Sequence, residues 1–315
     1  MRRAIAVLAS ALLLTACGTS KASVSATPST TSSSGNAAPS PAAGGPFAAT
    51  GAYGHEPTIS FPSATPPTSL VKSVVTEGSG PAVAKGDLLV GHYVGQVWGA
   101  TTPFDSSFKR GSLASFPIGV GKVVPGWDET LVGVKTGSRV LLSLPPEKGY
   151  GATGNSGAGI KGTDTIVFVV DVVGAYAPML AGQADAAVQS ATTPGVTVGG
   201  APGKQPTVAV AKGATEPAKP TATLLAKGTG PLLGDGLTLL QIQAVDWSNA
   251  PAGSTWTKDG LQAVPLGGGS PLDVLKGVPV GSRVLVLLPK DTGKSAAHPA
   301  LAAVIDVVAQ PSVPA

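Results

Sequence analysis

The stretch GSRVLLSLP at residues 137–145 returns as GSRVLVLLP at 281–289, and it is one of four matches that occur in the same order. EGSGPAVAKGD (77–87) pairs with KGTGPLLGDGL (227–237), FPIGVG (116–121) with VPLGGG (264–269), and VVDVV (169–173) with VIDVV (304–308). Ordered matches of this kind imply an internal duplication, so the chain is expected to fold as two units of one design. A length of 315 residues leaves each unit room for its own core. Between the units, residues 177–219 hold recurrent Pro and Gly and no aromatic. They read as an Ala/Gly/Pro-rich linker, with PTVAVA as a candidate short edge strand.

Each unit reads as mostly strand. In DTIVFVVDVV, Ile166, Phe168, Val170 and Val172 alternate onto one face, and SRVLLSL and DLLVGHYVG are short apolar runs bounded by Gly or Pro. GWDETLVGV is the helix candidate, because Asp128 and Glu129 in its first turn offset the positive end of the helix dipole. One short helix against several strands gives an α+β domain with an antiparallel sheet. The expected units are 66–176 and 220–310.

The N-terminus has Arg2 and Arg3, an apolar run from Ala4 to Leu14, and small residues before Cys17. A charged start, an apolar run too short to span a bilayer and a small-residue cleavage site make a secretory signal over 1–16. Leu14-Thr15-Ala16-Cys17 resembles a bacterial lipobox, and Cys17 is the chain's one cysteine, so it cannot form an internal disulfide. Lipidation of Cys17 would anchor the protein at the extracytoplasmic face of a bacterial membrane, provided more than one acyl chain is attached. Residues 17–60, rich in Ser, Thr, Ala, Pro and Gly at their start, read as a flexible tether. No later run is long and apolar enough for a transmembrane helix.

Several chemistries lack the residues they need. Lys and Arg number 21 against 17 Asp and Glu, but they are dispersed, which argues against nucleic acid as a partner. His55, His92 and His298 have no Cys or carboxylate at metal-ligand spacing, and no metal or other cofactor is expected. No serine sits in a GxSxG elbow. GVGKVVPG contains GxG but precedes a short helix in a sheet that does not read as parallel, so it is a poor dinucleotide fingerprint.

The first unit does have aromatics set among glycines: Tyr93, Phe104, Phe116, Trp127, Tyr150 and Phe168. They fall within HYVG, PFDSSF, VVPGWDE, YGATG and DTIVFVVDVV, in that order. This pattern closely resembles the FKBP-type peptidyl-prolyl cis-trans isomerases over roughly residues 70–176, most specifically in FDSS, GW and YGATG. The resemblance implies an antiparallel sheet curled around one short helix with an apolar pocket between them. It implies that Trp127 floors the pocket, that Tyr93, Phe104, Val123, Val124 and Phe168 line it, and that Phe116 adds to the substrate surface. Asp105 would be a polar contact at the edge, the Tyr150 hydroxyl would donate to a substrate carbonyl, and Ile160 would close one side. The implied partners are proline-containing unfolded or secreted polypeptides, and no cofactor is implied. Ala114 stands where many members carry an aromatic, and NSGAGIKG (155–162) lacks the usual loop prolines.

The internal alignment sets Tyr93 against Gln243, Trp127 against Pro271 and Phe168 against Ala303, and leaves YGATG without a counterpart. The second unit is therefore expected to keep the scaffold and lack the site, because a sheet core needs only periodic apolar residues whereas a site needs particular side chains. The alternative is a non-catalytic lipoprotein using both units as client- or partner-binding modules.

Overall fold

A computed structural model describes residues 47–257, 260–291 and 298–313; the signal segment, Cys17 and most of the expected tether lie outside them. The first described element is a hairpin of β1 (Ala48–Thr50) and β2 (Thr58–Ser60). The tether expected to run through residue 60 is thus corrected from residue 47 onward. Phe47 and Ala49 are buried against Leu141, Val167 and Val169, which supplies the apolar contact that the Ser/Thr-rich composition upstream lacks.

The hairpin lies on the outer face of a six-stranded antiparallel sheet. Its strands are β3 (Val71–Thr76), β4 (Leu88–Val97), β5 (Asp105–Ser106), β6 (Ala114–Pro117), β7 (Arg139–Leu144) and β8 (Ile166–Tyr176). The order is β3-β7-β8-β4-β5, with β6 also on β4. The inner face covers the expected helix, α1 (Pro125–Thr130), which starts on the proline before the Gly-Trp pair. Gly126 makes that seating possible: a Cβ there would stand 2.5 Å from Leu144 Cγ. The core between sheet and helix holds Leu89, Leu131, Val140, Leu142 and Val172, all buried.

Residues 177–219 are not a bare linker. They contain β9 (Ala187–Val188) and a hairpin of β10 (Val196–Gly199) and β11 (Thr207–Val210), the latter including the candidate strand in PTVAVA. A second antiparallel sheet follows: β12 (Thr221–Lys227), β13 (Gly236–Asp246), β14 (Pro251–Ser254), β15 (Gln262–Leu266), β16 (Arg283–Leu288) and β17 (Leu301–Ala309). Its order, β14-β13-β17-β16-β12 with β15 on β13, repeats that of the first sheet, and β9 extends it beyond β12. In place of α1 it has a 3-10 turn, Pro271–Leu275, so the expected second short α-helix is corrected to one tighter turn.

Both hairpins occur where a linker composition predicts none, and one physical reason serves for both. Arg139 and Asp171 form a buried ion pair (2.6 Å), with side chains 1% and 0% exposed. Gly51 O and His55 O accept from the Arg139 guanidinium at 2.7 Å each, and Gly54 N donates to Asp171 at 2.7 Å. In the second sheet, Arg283 and Asp306 repeat the pair, and the carbonyls of Gly200, Ala201 and Lys204 accept from Arg283. A buried pair is tolerable only when its remaining donors and acceptors are satisfied, and each hairpin backbone does that.

These pairs also identify which positions of the two sheets are equivalent. Arg139 lies opposite Asp171, and Tyr93 opposite Val170; Arg283 lies opposite Asp306, and Ile242 opposite Ile305. The counterpart of Tyr93 is therefore Ile242, not the Gln243 of the internal alignment. The turn before β13 is one residue shorter than the turn before β4, which slips the alignment by one and would move the side chain to the other face. Asp128 accepts from the backbone N–H groups of Gly119 and Gly121, and Asp273 from those of Gly267 and Gly269. The residue matching Trp127 is thus Leu272, not Pro271. Phe168 does match Ala303, through Gly95 and Ala244 opposite them.

Candidate active site

Between α1 and the concave face of the first sheet lies a cavity of about 470 Å3. Trp127, 3% exposed, is its hub. Its ring meets Phe116 at 4.8 Å, Phe168 at 5.0 Å and Tyr93 at 5.7 Å between centroids, every pair close to edge-to-face. Such packing is favoured by the ring quadrupoles and fixes each wall against the next. Phe104 meets Phe168 edge-on at 5.7 Å. Gly95 creates room for that contact: a Cβ there would be 2.6 Å from Phe104 and 2.7 Å from Phe168.

Alternation brings these rings together. Tyr93 on β4, Phe116 on β6 and Phe168 on β8 each point inward from adjacent antiparallel strands. Val123 and Val124 arrive from the loop before α1, which Asp128 gathers by accepting from Gly119 and Gly121 at 2.6 Å each. Both glycines have positive φ, +79° and +72°, so the turn needs them. Tyr150, half-buried, lines the opposite side just before a 3-10 turn, Gly151–Thr153. Its hydroxyl has no hydrogen-bond partner among the described residues. The Trp127 indole N–H is buried and also unpartnered among them.

Asp105 stands at the cavity edge in a network that sequence reading missed in part. The Tyr93 hydroxyl donates to Asp105, Arg110 makes an ion pair with the same carboxylate, and Arg110 donates to the Tyr93 oxygen at 3.0 Å. The guanidinium also lies over the Tyr93 ring, 5.4 Å from its centroid. Burial, followed by the hydrogen bond to Asp105, pushes the Tyr93 hydroxyl up to about 12. Tyr93 therefore stays a neutral donor and Asp105 stays compensated, so the aromatic wall is held from its polar end. The available signal for Arg110 was its place five residues after Asp105 in FDSSFKRG. Lys122, Pro125 and Gly149 complete the lining and were not predicted.

Behind the wall, Ser107 Oγ accepts from Tyr93 N at 2.8 Å and bonds His92 Nδ1 at 2.9 Å, and Phe108 stacks on the His92 ring. Burial lowers the pKa of His92. Ser106 donates to Glu56 at 3.0 Å, tying β5 to the N-terminal hairpin.

Ile160 sits apart from the other predicted residues. It is 3% exposed and part of the core cluster, but it is not among the residues lining the cavity. Paired backbone bonds with Asn155 hold it at the base of the loop, and Asn155 Oδ1 caps the turn by accepting from Ala158 N. A Cβ at Gly162 would lie 1.9 Å from Ala152 O, so the two ends of this loop are pressed together. Ala114 is partly buried against the cavity cluster, and no ring stands at its position.

The same places in the second sheet carry aliphatic residues. Ile242, Leu272, Val264 and Ala303 replace Tyr93, Trp127, Phe116 and Phe168, and all four are buried in one core. Through the β13–β14 register, Ala252 and Gly253 replace Phe104 and Asp105.

Residues 80–173 match the family described as FKBP-type peptidyl-prolyl cis-trans isomerase. An FK506-binding protein of Streptomyces anulatus is 36% identical over 118 residues, covering 38% of this chain and 95% of that protein. A probable FK506-binding protein of Corynebacterium glutamicum is 37% identical over 120 residues, covering 38% of this chain and 98% of the relative. The crystal structure of AtFKBP13 is 33% identical, covers 35% of this chain and 96% of that one, and gives a TM-score of 0.32.

Proposed function

The chain belongs to the FKBP-type peptidyl-prolyl cis-trans isomerase family, and on that premise we propose that the cavity in residues 66–176 is its one prolyl-isomerase site. Residues 220–310 would then be an FKBP-like unit without a competent site, and each unit would include the hairpin that caps its ion pair. The single observation carrying this reading is the closed set of aromatic walls on Trp127 in one sheet and its aliphatic replacement in the other.

Rotation about a peptide bond costs about 18–20 kcal/mol because resonance is lost, and uncatalysed X–Pro rotation takes tens to hundreds of seconds. No bond breaks and no proton must move. A catalyst needs a site that holds the proline ring and favours the twisted imide over either planar form. The planar form carries the larger charge separation across O–C–N, so a dry aromatic cavity disfavours it. Trp127, Phe168, Phe116 and Val124 supply that surface, and the free Tyr150 hydroxyl can donate to a carbonyl of the bound strand. Tyr93 and Asp105, held by Arg110, form the polar edge of the cavity, where a carbonyl of the bound strand would meet them. The cavity volume falls in the range of small-ligand sites, about 300–1,000 Å3, enough for a prolyl residue and its neighbours.

The clients proposed are proline-containing polypeptides outside the cytoplasm, reached from a membrane anchor at a lipidated Cys17. The first two relatives above are named for binding FK506, and the same cavity is proposed to accept it.

A protease-coupled assay on a proline tetrapeptide, run with the full chain, tests the proposal. Acceleration that FK506 suppresses is expected, with Tyr150→Phe lowering kcat/KM about 2- to 10-fold, the value of one hydrogen bond. A folded protein that gives no acceleration would overturn it.

A further inference from the structure

The two sheets touch through one apolar cluster that belongs to neither core. It contains Leu88, Val90, Leu113 and Tyr176 from the first unit, and Leu237, Leu239, Leu261 and Ala263 with Val308 and Ala309 from the second. Val90 and Leu239 are both 0% exposed, so the contact is dry at its centre.

The registers described above show which of these residues are equivalent. Leu88 lies opposite Pro117 and Leu237 opposite Pro265, so Leu88 and Leu237 occupy the same place in their sheets. Two residues on, Val90 and Leu239 match. Gly91 opposite Ala114 corresponds to Leu240 opposite Gln262, so the residues just before them, Leu113 and Leu261, match as well. Three residues of the first unit thus meet the second unit through its own copies of those three positions.

A contact made by the same patch on both sides is isologous, the signature of a two-fold dimer. We infer that the chain is an internal pseudo-dimer: the two units dock through equivalent outer faces of β4 and β13, and the partner this face is built for is a second copy of the same unit. Each unit buries on the other an apolar patch that a lone unit would expose. The docking face also reaches the cavity. Leu113 belongs to the contact, whereas Ala114 and Phe116 belong to the cavity cluster, so the residue leading into the strand that carries Phe116 packs on the second unit.

The inference does not depend on catalysis, and small-angle X-ray scattering of the full chain reads it. Leu113→Asp and Leu261→Asp are each expected to shift the radius of gyration upward, and by the same amount, because they remove equivalent residues. Leu232→Asp, a change at a 67% exposed leucine outside the cluster, is the control and should leave the radius unchanged. A wild-type radius in both Asp variants, or a response on one side only, overturns the inference. Should either Asp variant lose its sheet signal in circular dichroism, Leu113→Ala and Leu261→Ala replace them. Those variants must lower, equally, the urea concentration at which the radius first grows, and unequal or absent shifts overturn the inference.

Discussion

Asp171→Asn changes one atom type inside the buried pair under the first hairpin, and its cost can be worked from the contacts. The carboxylate accepts from Arg139 Nε at 2.6 Å, from Arg139 Nη2 at 2.7 Å and from Gly54 N at 2.7 Å. Asparagine keeps one acceptor oxygen, turns the other site into a donor facing a donor, and removes the counter-charge of a guanidinium that is 1% exposed. A hydrogen bond to a charged group is worth about 1.5–3 kcal/mol, and breaking a buried pair from one side costs about 3–5 kcal/mol. Arg139 keeps the Gly51 and His55 carbonyls, which places the loss at the lower end, about 3 kcal/mol. With a urea slope of about 2 kcal/mol/M, the midpoint should fall by about 1.5 M. Tryptophan fluorescence in urea separates the units, since Trp98 and Trp127 report the first and Trp247 and Trp256 the second. Asp306→Asn should produce a loss of similar size in the second unit. A loss below about 1 kcal/mol in Asp171→Asn would refute the view that this pair, capped by the hairpin backbone, holds the unit together.

Trp127→Leu installs the second unit's residue in the first, and should lower kcat/KM at least about 10-fold, or 1.4 kcal/mol, with the fold retained in circular dichroism. Gly126→Ala forces a Cβ to within 2.5 Å of Leu144 Cγ, so calorimetry should show a loss of about 1–3 kcal/mol and the assay a raised KM. Burial above all raises both Tyr93 and Tyr53 to about 12, against about 10 in an unfolded chain. The resulting stability is present in full below pH 10 and is lost as pH rises toward 12; in alkaline melts, Tyr93→Phe should flatten part of that decline.

The aromatic residues lining the cavity were legible through the family resemblance of HYVG, PFDSSF, VVPGWDE, YGATG and DTIVFVVDVV. Alternation, which is local, put Phe168 on one face with Ile166, Val170 and Val172, and Asp128 and Glu129 behind Gly-Trp marked the helix. What the sequence could not display were the partners of isolated charges. Arg139 and Arg283 lie within the repeated GSRV, yet nothing local says that each is buried, or that backbone carbonyls far along the chain cap it. The segments 47–60 and 195–210 read as tether and linker from the Pro- and Gly-rich composition around them, yet Phe47 and Ala49 are buried against the first sheet and Val210 is buried as well. The Gln243 alignment failed for a related reason: one residue missing from a turn leaves sequence similarity almost unchanged but reverses a strand face.

The sequence by itself determined the four ordered repeats, the strand-rich segments with one helix candidate in GWDETLVGV, and the absence of aromatic counterparts to Tyr93, Trp127 and Phe168 in the second half. Those depend on residue type and short-range period, which the chain carries openly. Tertiary structure alone decided that Arg110 braces Tyr93 and Asp105, that the two hairpins seal buried ion pairs, and that Leu88, Val90 and Leu113 share one cluster with their own counterparts. Each depends on residues far apart in the chain meeting in space, and the energy of such a meeting is set by burial and geometry that no single segment encodes.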